Sequence, residues 1–88
     1  MAAIAKLVDN FTEADIDDEI IIMRLDSGEL LTLTGTAAAT WRLIDGQRDR
    51  HVLIEALAVE FASREQEIAP EVGQFLGQLK EAGLVAEG

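Results

Sequence analysis

Glu19-Ile20-Ile21-Ile22-Met23-Arg24-Leu25-Asp26-Ser27-Gly28-Glu29-Leu30-Leu31-Thr32-Leu33 decides how this chain folds, and it runs straight into a segment carrying Trp41 that stops at Asp45-Gly46. Two apolar runs, 20–23 and 30–33, flank the polar Asp26-Ser27-Gly28. Runs of this length around a short turn with glycine read as an antiparallel hairpin, glycine taking the position that needs positive φ. The expected strands are 19–25 and 29–33. The unbroken apolar run of the first predicts that both its faces are at least partly covered.

Working outward, residues 11–16 form a candidate first strand, and residues 1–10 read as a mobile N-terminal arm in which Ile4, Leu7 and Val8 can dock. After the hairpin, Thr34 is expected to cap a helix over 35–44 that ends at Asp45-Gly46, with Trp41 as its core anchor. Asp49 is the expected N-cap of a second helix over 50–62, whose apolar stripe is Leu53, Leu57 and Phe61 with Ile54 and Ala58. Ser63 and Gln66 have capping-box spacing. Pro70 suits a first helical turn, so the last helix is expected to start near Ala69. Val72, Phe75, Leu76 and Leu79 then fall on one face, Gly83 ends the helix, and Leu84-Val85 fold back on the core. Strand, strand, strand, helix, helix, helix is an α+β order: a small three-stranded antiparallel sheet followed by three helices, winged-helix-like, with the domain spanning 11–88.

Composition narrows the function. Eighty-eight residues make one domain, and 7 Lys+Arg against 17 Asp+Glu give a net charge of −10. Such a surface repels phosphate backbones and anionic lipid, so nucleic acid and membrane are excluded as partners. The last helix carries one cation, Lys80, beside Glu71 and Glu81, the wrong sign for reading DNA. With no cysteine there is no disulfide and no thiol chemistry. No basic-then-apolar leader and no run long enough for a bilayer are present, so a cytoplasmic protein is expected. His51, the sole histidine, has no nucleophile to serve, and no phosphate loop, nucleotide fingerprint or zinc spacing is found. Asp15, Asp17, Asp18 and Glu19 lack calcium-loop spacing and read as a solvated turn. Arg42, Arg48, Arg50 and His51 read as charge balance around the turn between the first two helices. Neither a catalytic constellation nor a cofactor is expected.

The ordered set Glu29-Leu30-Leu31-Thr32-Leu33-Thr34, Thr40-Trp41-Arg42-Leu43-Ile44-Asp45-Gly46, Leu53-Ile54-Glu55-Ala56-Leu57 and 75–85, ending Ala82-Gly83-Leu84-Val85, resembles the PqqD-like family over residues 11–85. The family is named for a pyrroloquinoline quinone biosynthesis protein. The third-strand motif and terminal aromatic usual in members devoted to that quinone are not found here, so a lasso-peptide or other modified-peptide pathway fits equally. The resemblance implies a non-catalytic peptide chaperone. It would hold the leader of a ribosomally made precursor peptide beside the third strand, against the third helix, and present it to a protease, cyclase or radical enzyme.

The residues offer a matching site. An edge strand has unpaired N–H and C=O groups that a guest strand can satisfy, which points to Leu30, Leu31, Thr32 and Leu33. Leu31 and Leu33 are expected to be core by their side chains. Gly73 and Gly77, four apart on the last helix, each weaken it by roughly 1 kcal/mol relative to alanine. With Leu76 they are expected to floor the crevice, and Lys80 to meet a leader carboxylate. The competing arrangement is a structural or regulatory homodimer whose edge strand or arm pairs with its own copy.

Overall fold

Alternation along the hairpin sets the sheet. In the computed structural model, which describes residues 2–87, β2 (Phe11–Ile16), β3 (Glu19–Arg24) and β4 (Leu30–Leu33) form an antiparallel sheet in the order β2-β3-β4. Phe11, Ile20, Ile22 and Leu33 are buried, and Leu31 packs against them. The residues between point the other way: Ile16, Met23 and Leu30 are 52%, 37% and 64% exposed, and Ile21 is half-buried. The expected cover over both faces of β3 is therefore only partial on the outer one, where Ile21 is half-buried and Met23 exposed. Gly28 adopts φ 74° in the hairpin turn, as the sequence requires.

All three helices lie on the inner face. In α1 (Gly35–Leu43), Ala38 and Ala39 bring the backbone close to the core, and the buried Thr40 hydroxyl donates to the Thr36 carbonyl at 2.7 Å. Thr34 occupies the N-cap in an extended conformation, but its side chain makes no capping bond. Trp41 is fully buried. Its ring meets Phe11 edge-on at 5.2 Å, its Nε1–H donates to Glu13 Oε2 at 3.1 Å, and the Lys6 ammonium lies 4.5 Å from the ring centroid. Burial holds the Lys6 pKa below its ordinary value, against the opposing pull of Glu13 and Asp45.

Asp49 caps α2 (Arg50–Glu60), accepting from the Val52 N–H at 2.9 Å. The helix closes with the Ser63 N–H on the Ala58 carbonyl and the Ala62 N–H on the Val59 carbonyl, Ala62 taking φ 50°. That exit uses Ser63, whose hydroxyl donates to the Phe61 carbonyl, so the capping box with Gln66 does not form. Instead α3 (Glu65–Glu81) begins at Glu65, earlier than Ala69, and contains Pro70. Proline there removes only one bond, to the Gln66 carbonyl in the exposed second turn. Glu65 and Glu67 favour the first turn electrostatically, and buried Ile68 anchors it. Gly83, at φ 74°, ends α3: the Leu84 N–H returns to the Leu79 carbonyl, and both leucines are buried.

The expected mobile arm is a strand. β1 (Ile4–Lys6) pairs antiparallel with β5 (Val85–Glu87), Ile4 is 1% exposed, and its N–H and C=O bond to Arg48 and Gly46. Burial of Ile4 and the returning β5 decide this; neither is visible in an Ala-rich opening. Met1 and Gly88, the outermost residues of the expected arm and domain, lie outside the described residues.

Glu87 clamps this small sheet to the helices, accepting from Lys80 at 2.9 Å and from Arg50 at 3.1 Å. Those bonds, the Lys80 one first, hold its pKa below the ordinary glutamate value. A depressed carboxylate pKa means the clamp is complete above the unfolded-state value and is lost as pH falls through the folded one. Glu87→Gln at neutral pH should therefore lower the amide protection factors of Ala5 and Leu7, and acid should lower them in the parent protein once the intrinsic rate is corrected for pH. Unchanged protection factors would show that the clamp does not hold β1 to β5.

Candidate functional site

Register identifies which backbone groups of β4 are free. Ile20 pairs with Leu33, Ile21 with Thr32, Ile22 with Leu31 and Met23 with Leu30. The Arg24 N–H bonds to the Glu29 carbonyl, so Arg24 and Glu29 face each other as a hydrogen-bonded pair. In an antiparallel ladder such pairs alternate. Leu31 and Leu33 therefore spend their N–H and C=O groups on β3, while those of Leu30 and Thr32 point away from the sheet. No strand covers that edge among the described residues.

α3 shares a recess with the chain near each end of β4. At one end a recess of about 370 Å³ is lined by Thr36, just past β4, and by Phe61, Glu67, Ile68 and Glu71. At the other a recess of about 400 Å³ joins Asp9, Leu25 and Asp26 to Ala82 and Gly83. Glu71, Phe75, Gln78 and Ala82 form one stripe of α3 between them, since i, i+4, i+7 and i+11 share a helix face. Phe75 and Ala82 are partly buried against the core, as is Leu31. The open edge of β4 and the Phe75 side of α3, which these two recesses bracket, are the candidate walls of a crevice for an extended chain.

The residues singled out in the sequence divide between two places. Leu30, Leu31, Thr32 and Leu33 form the open edge, with Leu33 buried and Leu31 half-buried. Leu76 is 1% exposed, a core residue beneath α3. Gly73 and Lys80 lie on the far flank. A Cβ on Gly73 would meet Arg50 Nη1 at 3.3 Å, and Lys80 is paired with Glu87 of β5. Gly77 shares that flank by helical spacing. The glycine stripe thus faces α2 and β5, not β4, and Phe75 and Ala82 lie on the opposite flank of α3. Phe75 was legible as apolar; the sequence did not say that it lies on the flank of α3 away from the glycines.

Gly77 has helical geometry and nothing within 4 Å of where its Cβ would stand. Gly77→Ala should raise stability by about 0.5–1 kcal/mol, measured by denaturant melts, without changing peptide affinity. A loss of affinity would return this flank to the site.

Cations are committed elsewhere. Arg42 holds Asp15 through two bonds, Arg48 pairs with Asp45, Arg50 with Glu87, and His51 lies 3.4 Å from Glu55. The arginines expected to balance charge each have a carboxylate partner, and none borders the crevice. The Arg42 bond is the main reason Asp15 titrates below the usual carboxylate range. No three metal-ligating side chains converge among the described residues, and no helix there is long and apolar enough to cross a membrane.

No curated protein sequence is significantly similar to the chain. One similar solved structure is TbiB1 in complex with the TbiA(beta) leader peptide: 22% identity, TM-score 0.79, covering 88% of this chain and 90% of that one. Another is lasso peptide synthetase B1 complexed with the leader peptide: 19% identity, TM-score 0.82, covering 97% of this chain and 99% of that one. At these identities the likeness is one of fold. Residues 19–85 match the family described as Coenzyme PQQ synthesis protein D (PqqD). That match takes in the hairpin, all three helices and the start of β5, well over half of the chain, and the protein therefore belongs to the PqqD family.

Proposed function

We propose that this protein is a non-catalytic peptide chaperone. It binds the leader segment of a ribosomally made precursor by strand addition to β4 and presents the precursor to a separate modifying enzyme, a protease, cyclase or radical enzyme. The observation that carries the reading is the pair of free backbone positions, Leu30 and Thr32, on a strand edge whose two ends are bracketed by recesses shared with α3. A guest strand there gains hydrogen bonds from its backbone and burial from alternate side chains. Two structures of the same fold are described as leader-peptide complexes, which supports the same occupant. The docking residues are Leu30, Leu31, Thr32 and Leu33 with Phe75 and Ala82; Gly73, Gly77 and Lys80 are not among them. The protein would act in the cytoplasm, where a ribosomal precursor first appears.

The test is calorimetric titration with the synthetic leader of the precursor reading frame beside its gene. Backbone N-methylation at alternate leader residues should abolish binding in one register and spare it in the other, because only every second amide of an added strand faces β4. Equal affinity for both methylated leaders would exclude strand addition. Sedimentation of the free protein as a dimer that ignores the leader would return the edge to self-pairing.

A further inference from the structure

The candidate crevice ends in two acidic recesses. Phe75 of α3 and Leu31 of β4, both partly buried against the core, lie between those ends along their own elements, and Ala82 lines one recess. At the Thr36 end stand Glu67 and Glu71; Glu71 has no ion pair among the described residues, and Glu67 has only an exposed Arg64 at 3.7 Å. Phe61, 38% exposed, lines the same recess and offers an aromatic face to a cation. At the Leu25 end stand Asp9 and Asp26, and Arg24 there is shared between Asp26 and Glu29, so carboxylates still outnumber cations. An acidic guest would be repelled at both ends.

Resting on the strand-addition reading, we propose that the peptide this crevice accepts carries two basic residues about six positions apart with apolar residues between them. One basic side chain sits over Glu67, Glu71 and Phe61, the other beside Asp9 and Asp26. The spacing follows from geometry. From Glu71 to Ala82 α3 rises about 16 Å, which an extended guest spans in roughly five residues, and each recess reaches slightly beyond those positions. An even spacing of six keeps both side chains on one side of the strand.

The probe is a displayed library of random twelve-residue peptides, selected in parallel on the full chain and on the E67Q/E71Q variant, whose altered side chains are both exposed. Peptides enriched on the parent should carry a Lys or Arg pair at that spacing, and those enriched on the variant should lose the basic residue at one end. A synthetic consensus peptide should bind E67Q/E71Q about tenfold more weakly, with a shallower salt dependence, as expected for a lost charge-assisted contact. Enriched peptides without the basic pair, or with equal affinity for both proteins, overturn the inference. If those peptides still bind in only one N-methylation register, strand addition stands without it. If none enriches, or if both N-methylated registers bind equally, strand addition falls and the inference with it.

Discussion

Trp41→Ala is expected to be the most damaging single change to the fold, at about 3–5 kcal/mol for truncating a fully buried tryptophan. A small domain holds on the order of 5–15 kcal/mol in total. At about 4–8 °C per kcal/mol, the thermal midpoint should fall by roughly 12–40 °C. The size of the effect follows from what the ring joins. It sits between β2, through Phe11 and Glu13, and the stem of β1, through Lys6, so its loss opens a cavity shared by three elements. Trp41→Phe separates the contributions. It keeps an aromatic in the layer and frees Glu13, which is exposed and can turn to water, so the cost of the hydrogen bond alone should be about 1 kcal/mol. Circular dichroism melts of both variants decide the matter. A Trp41→Ala protein that melts within a few degrees of the parent would show that the ring is not the anchor.

Thr32→Pro should have the largest effect on binding and little effect on folding. The Thr32 N–H points out of the sheet, so proline removes no bond that the protein makes internally, and edge strands tolerate it there. For a guest strand the same change deletes a donor and puts a ring in its path. Affinity for the leader should drop about a hundredfold or more, near 3 kcal/mol. Leu31→Pro is the contrast. Its N–H is spent on Ile22, so it should lower the melt while disturbing the outer edge less directly. A Thr32→Pro protein that melts like the parent and binds the leader at full strength would remove strand addition at β4 from consideration.

Both predictions depend on features that were only partly legible in the residues. The hairpin was legible because Gly28 and its polar neighbours separate two apolar runs, a local pattern with a local cause. Asp49 and Gly83 were legible for the same reason: a cap satisfies backbone groups within a turn of itself. Trp41 as an anchor followed from its place between the hairpin and the Asp45-Gly46 stop. The last helix shows where this reading ended. Its periodicity put Val72, Phe75, Leu76 and Leu79 on one face and Gly73, Gly77 and Lys80 on another, and the structure keeps that division. Periodicity fixes faces relative to one another, but not which neighbour each face meets.

Local sequence therefore set the order of the three-stranded sheet and the three helices, the strand turn, the helix ends at Asp49 and Gly83 and the apolar stripes, all through interactions within a few residues. Only the fold settled that β1 and β5 pair across nearly the whole chain, that Arg50 and Glu87 occupy the flank beside the glycines, and that Glu71 shares a recess with Thr36 and Ala82 one with Leu25 and Asp26. Those relations depend on how α3 is rotated and laid across the sheet. That rotation is set by burying Ile68, Val72, Leu76 and Leu79 together against residues far away in the chain, a balance of packing that no local window contains.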